Sequence, residues 1–228
     1  MNILSIDTAT DVCSVAITYD GQTEQLVSDE RIGHSNLVLG LVSTLCQNMG
    51  ISISQLDVMA VDIGPGSFTG VRIGIGVIQG LAYGANLPVL GVSSLEVLAA
   101  STSEGTILPA LDARMGQIYC GLYDTSIDLV EVVAPIVCYP AKTRIVIGEE
   151  AVLGLGSGWD QYGLKMKEGL AEIQEKGSIS NIRWEKGKYP EARFINKVAS
   201  MKGMEFCVNP LDLRASYVRN QVVKSTGP

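Results

Sequence analysis

The sequence predicts an α/β fold built from two related lobes. The first half opens with three short strands, after which amphipathic helices alternate with apolar strands, as in a mixed sheet covered by crossover helices. The second half opens like the first, so that Ile6-Asp7 corresponds to Leu111-Asp112. With 228 residues, 46% apolar and 18% charged, the chain has a globular composition and the length of one large domain or two lobes.

The first three strands are expected to form an antiparallel meander. Each is a short run of apolar or alternating residues, and Asp20-Gly21 is a hairpin turn signal between the second and the third. The predicted strands are Ile3–Ile6, Val12–Thr18 and Gln22–Asp29.

Helices and parallel strands alternate after the meander. Apolar residues recur at helical spacing after Ser35, a helix-capping residue type, and Gly50 ends the pattern. The predicted helices are Ser35–Met49, Gly70–Tyr83 and Ser93–Ala100, and the predicted strands between them are Asp57–Ile63 and Pro88–Gly91. A meander followed by this alternation is the order of a ribonuclease-H-like lobe.

The second lobe is predicted from internal similarity. A strand that ends at Asp112, a polar turn, an alternating strand and a third strand at Leu129–Ala134 repeat the opening meander. The expected lobes are residues 1–105 and 106–228, with packing of the C-terminal tail on the first lobe as one option. After Pro140 the similarity fades, and the sequence predicts a glycine-rich surface loop at Val152–Trp159 and an amphipathic helix at Pro190–Met201.

Charge and cysteine content exclude several classes of function. The formal net charge is −7 and the pI is about 4.8, so the chain has no positive field to attract nucleic acid or an anionic membrane by itself. Its five cysteines form no Cys-x-x-Cys pair, which favours reduced thiols. The N-terminus has neither a basic leader nor an apolar span. We expect a cytoplasmic protein without a membrane segment.

Two aspartates are the candidate ligand-binding residues. Asp7 and Asp112 end equivalent strands of the two lobes, and across a cleft they could hold a nucleotide with magnesium. The alternative is that each carboxylate caps its own turn. We favour the alternative, because no further Asp or Glu completes an obvious acid/base set.

The segment Gly64–Gly70 connects a buried strand to a helix N-terminus, where backbone N–H groups favour anions. It lacks the Gly-Lys-Ser/Thr ending of a Walker loop and the Gly-x-Gly-x-x-Gly spacing of a dinucleotide-binding loop. A tight turn that needs glycine is therefore the preferred interpretation.

The helix after this loop is unusually rich in glycine, which destabilises a helix by up to ~1 kcal/mol per residue relative to alanine. At 100° per residue its glycines fall on one broad face, and a glycine stripe lets another backbone approach closely. That backbone belongs either to this chain's own sheet or to another subunit. The glycines are Gly70, Gly74, Gly76, Gly80 and Gly84.

His34 is the only histidine. A metal site with two histidines cannot form within this chain, and a Ser-His-Asp triad would have to use this residue. At a predicted helix start, a cap or packing role is the simpler interpretation.

Taken together, several motifs closely resemble the bacterial TsaB (YeaZ) family, and the stretch from Gly64 to Arg72 is the most specific of them. The resemblance covers nearly the whole chain and is looser after Pro140. The matching segments are Ile6–Thr10, Cys13–Ala16, His34-Ser35, Gly64–Gly74, Gly91–Leu95, Asp112–Gly116 and Tyr217–Asn220.

The resemblance implies a two-lobed fold of the actin, Hsp70 and sugar-kinase (ASKHA) superfamily. It also implies a role in making threonylcarbamoyladenosine beside the anticodon of tRNAs that read codons beginning with A. Members of the family are non-catalytic relatives of TsaD, which transfers the threonylcarbamoyl group, and they act with TsaD and the ATPase TsaE. A catalyst of the TsaD type binds metal through paired histidines, and this chain has only His34.

The resemblance further implies homodimers formed through the helices that correspond to Ser35–Met49 and Gly70–Tyr83. It therefore places Leu41 and the glycine stripe at an interface and tRNA mainly on TsaD. A nucleotide with magnesium, in the cleft between the lobes or at the complex interface, is a further option. Two other functions stay open: a small-molecule kinase or ATPase that uses Asp7 and Asp112, and a peptidase that acts on a partner.

Overall fold

The computed structural model describes residues 1–28, 34–147, 150–171 and 181–219. The strands in these ranges are β1 (Ile3–Asp7), β2 (Cys13–Tyr19), β3 (Gln22–Ser28), β4 (Val58–Asp62), β5 (Val89–Val92), β6 (Thr106–Asp112), β7 (Ile118–Asp124), β8 (Val130–Cys138), β9 (Val152–Leu155) and β10 (Ile182–Glu185). The helices are α1 (His34–Met49), α2 (Phe68–Ala85), α3 (Ser94–Ala100), α4 (Ser157–Ala171) and α5 (Ala192–Lys202).

The strands form two five-stranded sheets of the same topology. The first has the order β3-β2-β1-β4-β5, and the second, taken from its meander edge, has the order β8-β7-β6-β9-β10. In each sheet the meander strands pair antiparallel and the last two strands pair parallel. The predicted duplication of a ribonuclease-H-like lobe is confirmed.

Residues 192–213 return to the first lobe. On α5, Ile195 and Val198 pack in one buried cluster with Ile3 of β1 and Val58 of β4. Farther along, Val208 pairs with Val89 at the edge of the first sheet. The second sheet begins at Thr106, close to the predicted lobe boundary. Residues 192–213, which follow the second sheet in the chain, nevertheless pack on the first lobe.

Helix α3 carries the apolar contact between the lobes. Its residues Leu95 and Leu98 are fully buried in a cluster with Leu111 of β6 and Leu153 of β9. This seven-residue helix therefore packs against the second sheet although it follows the first in the chain.

The glycine-rich stretch at 152–159 is not a surface loop, and that prediction is wrong. It forms β9 and the start of α4, and all four residues of β9 are buried. A Cβ at Gly154 would overlap the Trp159 ring, and a Cβ at Gly158 would lie 2.9 Å from the Cβ of Ala110. The glycines let strand, ring and helix pack closely, and the Trp159 indole Nε1 donates a hydrogen bond to the Leu108 carbonyl at 2.7 Å.

Two predicted boundaries lie partly outside the described residues. Helix α1 already includes Ser35, so this residue is within the helix and is not its N-cap, and the strand expected to reach Asp29 is described only to Ser28. In the described ranges, none of the helices has the length and apolar content needed to cross a bilayer.

The α2 glycines lie on two different sides of the helix, so the prediction of one interface face is wrong for two of them. Gly70 and Gly74 are buried. A Cβ at Gly70 would overlap the Thr8 carbonyl oxygen, and one at Gly74 would lie 2.6 Å from the Thr8 hydroxyl. Both therefore pack against their own lobe.

The other three α2 glycines are exposed, and a Cβ at any of them would meet nothing within 4 Å. They form the outer glycine stripe, which consists of Gly76, Gly80 and Gly84. For this stripe, a role at an interface stays a prediction.

Alanine at Gly70 and alanine at Gly80 should change stability in opposite directions. In Gly70→Ala the new methyl group pushes α2 away from the Thr8 carbonyl. As for other overpacked sites, this should lower the free energy of unfolding by about 1–3 kcal/mol. Gly80→Ala adds a methyl group in open space and should raise the free energy of unfolding by up to ~1 kcal/mol. Urea unfolding at several protein concentrations measures both and separates any effect of self-association. Equal destabilisation by the two variants would contradict the assignment of the two sides.

Candidate functional site

The carboxylate of Asp7 lies beneath the surface at the end of β1. Its side chain is fully buried. One oxygen, Oδ1, accepts a hydrogen bond from the Ala9 N–H at 2.9 Å, and the other, Oδ2, is buried with no hydrogen-bond partner. The hydrogen bond from Ala9 shows that Asp7 caps its own turn, which is the interpretation that the sequence favoured.

A second carboxylate, which the sequence analysis missed, lies at the end of the neighbouring strand. In the parallel pairing of β1 and β4, Ile6 is opposite Val61, so Asp7 and Asp62 follow at adjacent strand ends. The Oδ1 atom of Asp62 accepts hydrogen bonds from the Gly64 N–H at 2.7 Å and the Ser94 hydroxyl at 2.6 Å. Its Oδ2 atom is also buried without a partner.

Burial changes the protonation of this aspartate pair. Removal from water raises the pKa of Asp7 well above its ordinary value, and the negative charge of Asp62 raises it further. Burial raises the pKa of Asp62 to about 7, against the lowering effect of its hydrogen bonds from Ser94 and Gly64. The pair therefore retains a proton near neutral pH, which lowers the cost of burying two adjacent carboxyl groups.

A cleft of about 530 Å³ lies between the lobes. The first lobe contributes the turn after Asp7, the loop that follows β4 and the N-terminus of α2, while the second lobe contributes the turn after β6. The side chain of Ser67 caps α2 by accepting a hydrogen bond from the Gly70 N–H at 3.2 Å. Lining residues include Thr10, Ser67, Thr69, Asp112, Arg114 and Arg219.

Asp112 lines this cleft, but Asp7 does not. The Oδ1 atom of Asp112 accepts a hydrogen bond from the Arg114 N–H at 3.0 Å, and its Oδ2 atom lies 3.6 Å from the Arg114 guanidinium. Asp7 is sealed beneath the cleft floor, so its side chain does not face Asp112 across the cleft as the sequence suggested. A nucleotide with magnesium in the cleft stays a prediction. A ligand contact by Asp112 alone stays a prediction.

The loop that seals Asp7 is the glycine segment found in the sequence. The Ser67 N–H donates to the Ala9 carbonyl at 2.7 Å, and the Thr8 hydroxyl donates to the Gly70 carbonyl at 2.7 Å. A Cβ at Gly66 would overlap the Ala9 carbonyl oxygen. Gly66 is thus required by backbone contact within the lobe, and the turn that needs a glycine conformation, as the sequence predicted, is at Gly64, with a φ of 95°.

Helices α1 and α2 form a second candidate surface on the outside of the first lobe. An apolar groove of about 490 Å³ lies between them and is lined by Leu39, Val42, Cys46, Ile51, Ile53 and Leu81, among others. Leu41, which the sequence placed at the interface, is half-buried and packs partly against the core of its own lobe. The more exposed leucine of α1 is Leu39, with 51% of its surface accessible. The side chain of His34 lies outside the described part of the chain.

A family model described as TsaD, tRNA N6-adenosine threonylcarbamoyltransferase, matches residues 30–147, just over half of the chain. The chain belongs to this family. The match includes α1 and α2, which form the outer surface, and two parts of the cleft lining, the loop between β4 and α2 and the turn after β6.

Relatives named tRNA threonylcarbamoyladenosine biosynthesis protein TsaB resemble the chain. The protein of Haemophilus influenzae is 28% identical over 97% of this chain and 95% of its own length. The protein of Escherichia coli is 45% identical over 54% of this chain and 55% of its own length. The resemblance predicted from the motifs is confirmed.

Solved structures support the same relationship. A structure of YeaZ from Pseudomonas aeruginosa superimposes with a TM-score of 0.82 at 28% identity and covers 95% of this chain and 99% of that chain. A structure described as an uncharacterised protein with similarity to peptidase YeaZ from the same organism has a TM-score of 0.84 at 28% identity, with 96% and 99% covered. The two-lobed fold is thus shared with these structures over nearly the full length.

The aspartate pair predicts a specific dependence of stability on pH. Because the folded pKa of Asp62 is raised from 3.8 to about 7, its contribution is complete below about pH 4 and is lost as pH rises to about 7. We expect wild-type stability to fall over this range relative to Asp62→Asn, by about 1.4 kcal/mol for each unit of pKa difference at most. Urea unfolding of both proteins at a series of pH values measures the difference.

Ser94→Ala supplies the second arm of that experiment. It removes a hydrogen bond that favours the charged form of Asp62, so the loss of stability should extend to higher pH. A stability difference between wild type and Asp62→Asn that stays constant from pH 4 to 7 would contradict the raised pKa.

Proposed function

We propose that the chain is a non-catalytic subunit of the system that makes threonylcarbamoyladenosine in tRNA. The observation that carries the proposal is its likeness to TsaB of Haemophilus influenzae, which extends over 97% of this chain. In this proposal the chain is a scaffold that pairs with TsaD, and the ATPase TsaE joins the pair. TsaD then transfers the threonylcarbamoyl group from its adenylate to N6 of the adenosine beside the anticodon.

Composition supports a role without catalysis. A TsaD-type catalyst is expected to bind metal through paired histidines, and the whole chain has only His34. The formal net charge of −7 also disfavours direct capture of tRNA. Binding of tRNA therefore belongs mainly to the partner.

The outer surface of α1 and α2 supports a protein partner. The outer glycine stripe offers a helix surface without side chains, along which a second helix can approach closely. The adjacent groove is apolar, and Leu39 and Leu81 line it. We assign this surface to the heterodimer with TsaD and to a homodimer when the chain is alone.

Reconstitution of the modification tests the proposal. Unmodified tRNA is incubated with TsaD, TsaE and the synthase that makes the threonylcarbamoyl adenylate, with and without this chain. We expect product over repeated turnovers only when the chain is present. Equal product in its absence would refute the scaffold role.

The cleft favours one alternative, a small-molecule kinase or ATPase, because it has the size of a ligand pocket and is lined by the N-terminus of α2 and by Asp112. Asp112→Asn separates the two functions. A scaffold should support full product formation with this variant. Loss of product in this variant, with TsaD binding intact, would favour chemistry in the cleft. Cleavage of a partner protein by the wild-type chain would instead favour the peptidase alternative.

Gly80→Leu should weaken self-association and association with TsaD by at least tenfold, because its side chain fills the space that a partner helix would occupy. Sedimentation velocity measures both equilibria. A Cβ at this position meets nothing within 4 Å, so the monomer should fold.

Gly80→Ala is the matched control at the same position. It adds one methyl group and should disturb association much less than leucine does, while circular dichroism verifies the fold of both variants. If folded Gly80→Leu sediments like wild type and binds TsaD as tightly, the assigned surface is wrong.

A further inference from the structure

The segment 213–219 crosses the cleft from the first lobe to the second. It begins at Leu213, which is buried in the core of the first lobe. The Ser216 N–H then donates a hydrogen bond to the Ile63 carbonyl at 2.8 Å. Its last four residues line the cleft. We call this segment the strap.

An aromatic and cationic stack holds the strap to α2. The Arg72 guanidinium lies 3.3 Å from the centroid of the Phe68 ring and 5.4 Å from that of the Tyr217 ring. It also donates hydrogen bonds to the Tyr217 hydroxyl and, at 3.2 Å, to the Phe68 carbonyl. Cation–π contacts of this kind add to the hydrogen bonds. The first-lobe end of the strap therefore has several independent attachments.

Arg219 attaches the strap to the second lobe. Its Nη2 donates hydrogen bonds to the Ala113 carbonyl at 3.2 Å and to Gln117 Oε1 at 2.6 Å, and its Nη1 lies 3.6 Å from Met115 Sδ. Among the described residues of the strap, Arg219 is the one whose side chain donates hydrogen bonds to the second lobe.

The turn that Arg219 contacts is one that needs support. Three consecutive residues, Arg114, Met115 and Gly116, have φ values of 61°, 54° and 73°. Positive φ values are unfavourable for residues other than glycine. Two backbone hydrogen bonds close the turn, from Ala113 N–H to the Gln117 carbonyl at 2.9 Å and from Gln117 N–H to the Arg114 carbonyl at 3.0 Å. The guanidinium bridges both ends of this turn.

We propose that the strap is a latch across the cleft and that Arg219 is the positioning residue that holds the second lobe against it. Release of Arg219 frees the turn at 113–117 and lets the cleft open about the α3 contact, while the strap stays on the first lobe. The cleft would then admit larger ligands when the latch is open than when it is closed. The proposal does not depend on the proposed function.

Arg219→Ala tests the latch, with Arg214→Ala as the matched control. Within the described part of the chain, the Arg214 side chain donates its hydrogen bonds to two carbonyls close by in the sequence, those of Leu211 and Leu213. Both variants thus remove an arginine from the same stretch of chain, but only one removes a bond to the second lobe.

Amide hydrogen exchange followed by NMR gives three reporters. In Arg219→Ala, the amides of Ala113 and Gln117 should exchange several-fold faster, while that of Ser216 stays as in wild type. Gln117→Ala removes one of the two oxygen acceptors of Arg219 and should accelerate exchange at Ala113 by less than Arg219→Ala does. The double variant should exchange no faster than Arg219→Ala alone, because Arg219→Ala already removes the hydrogen bond that Gln117 accepts. In Arg214→Ala the amides of Ala113 and Gln117 should be unchanged.

Opening of the lobes is measured directly as a distance. Spin labels carried by reactive unnatural amino acids at Thr69 and Gln161, which are exposed on opposite sides of the cleft, report the separation in pulsed electron paramagnetic resonance. The distribution should shift to longer distances in Arg219→Ala and not in Arg214→Ala. An unshifted distribution with unchanged exchange, or an equal response to both substitutions, would overturn the latch. Arg219→Lys keeps the positive charge but lacks the planar guanidinium that donates to both acceptors. Its distance distribution should lie between those of wild type and Arg219→Ala.

Discussion

Backbone contact between the end of β1 and the start of α2 is the constraint on which the first lobe depends. Gly66 and Gly70 have no side chains, so the carbonyls of Ala9 and Thr8 can approach the helix start closely. This contact seals Asp7 beneath the loop and sets the rotation of α2 about its axis. Any side chain at either glycine would separate the two segments.

The rotation of α2 gives the helix two roles. Its inner glycines allow tight packing on the lobe, and its outer stripe is bare helix surface beside an apolar groove. In a helix of buried apolar residues, glycine on the outer side has no packing value within the chain, although it lowers helix stability. The outer stripe therefore costs helix stability without packing within the chain, which is the physical ground for the partner surface proposed above.

The two lobes share a topology but differ where their first strands end. In the second lobe the close glycine contact is made at Ala110, by Gly156 and Gly158, two residues before the strand ends. Asp112 is therefore left at the cleft, where its N–H donates to the Ser157 hydroxyl at 3.1 Å. A duplicated fold thus produces one buried and one accessible aspartate, and the strap connects the loop after β4 to the turn after β6.

The sequence by itself determined the strand order of both meanders, the alternation of helices and strands in the first lobe, and the family, because these follow from local periodicity and contiguous motifs. It did not reveal Asp62 as the neighbour of Asp7, since the pairing of β1 with β4 joins residues 55 positions apart. Nor did it separate Gly70 and Gly74 from the outer stripe, because helical periodicity gives relative angles but not which angle faces the sheet. The burial of Asp7 and the bond from Arg219 to Gln117 were likewise decided only by tertiary structure, because both depend on segments that meet in space and not along the chain.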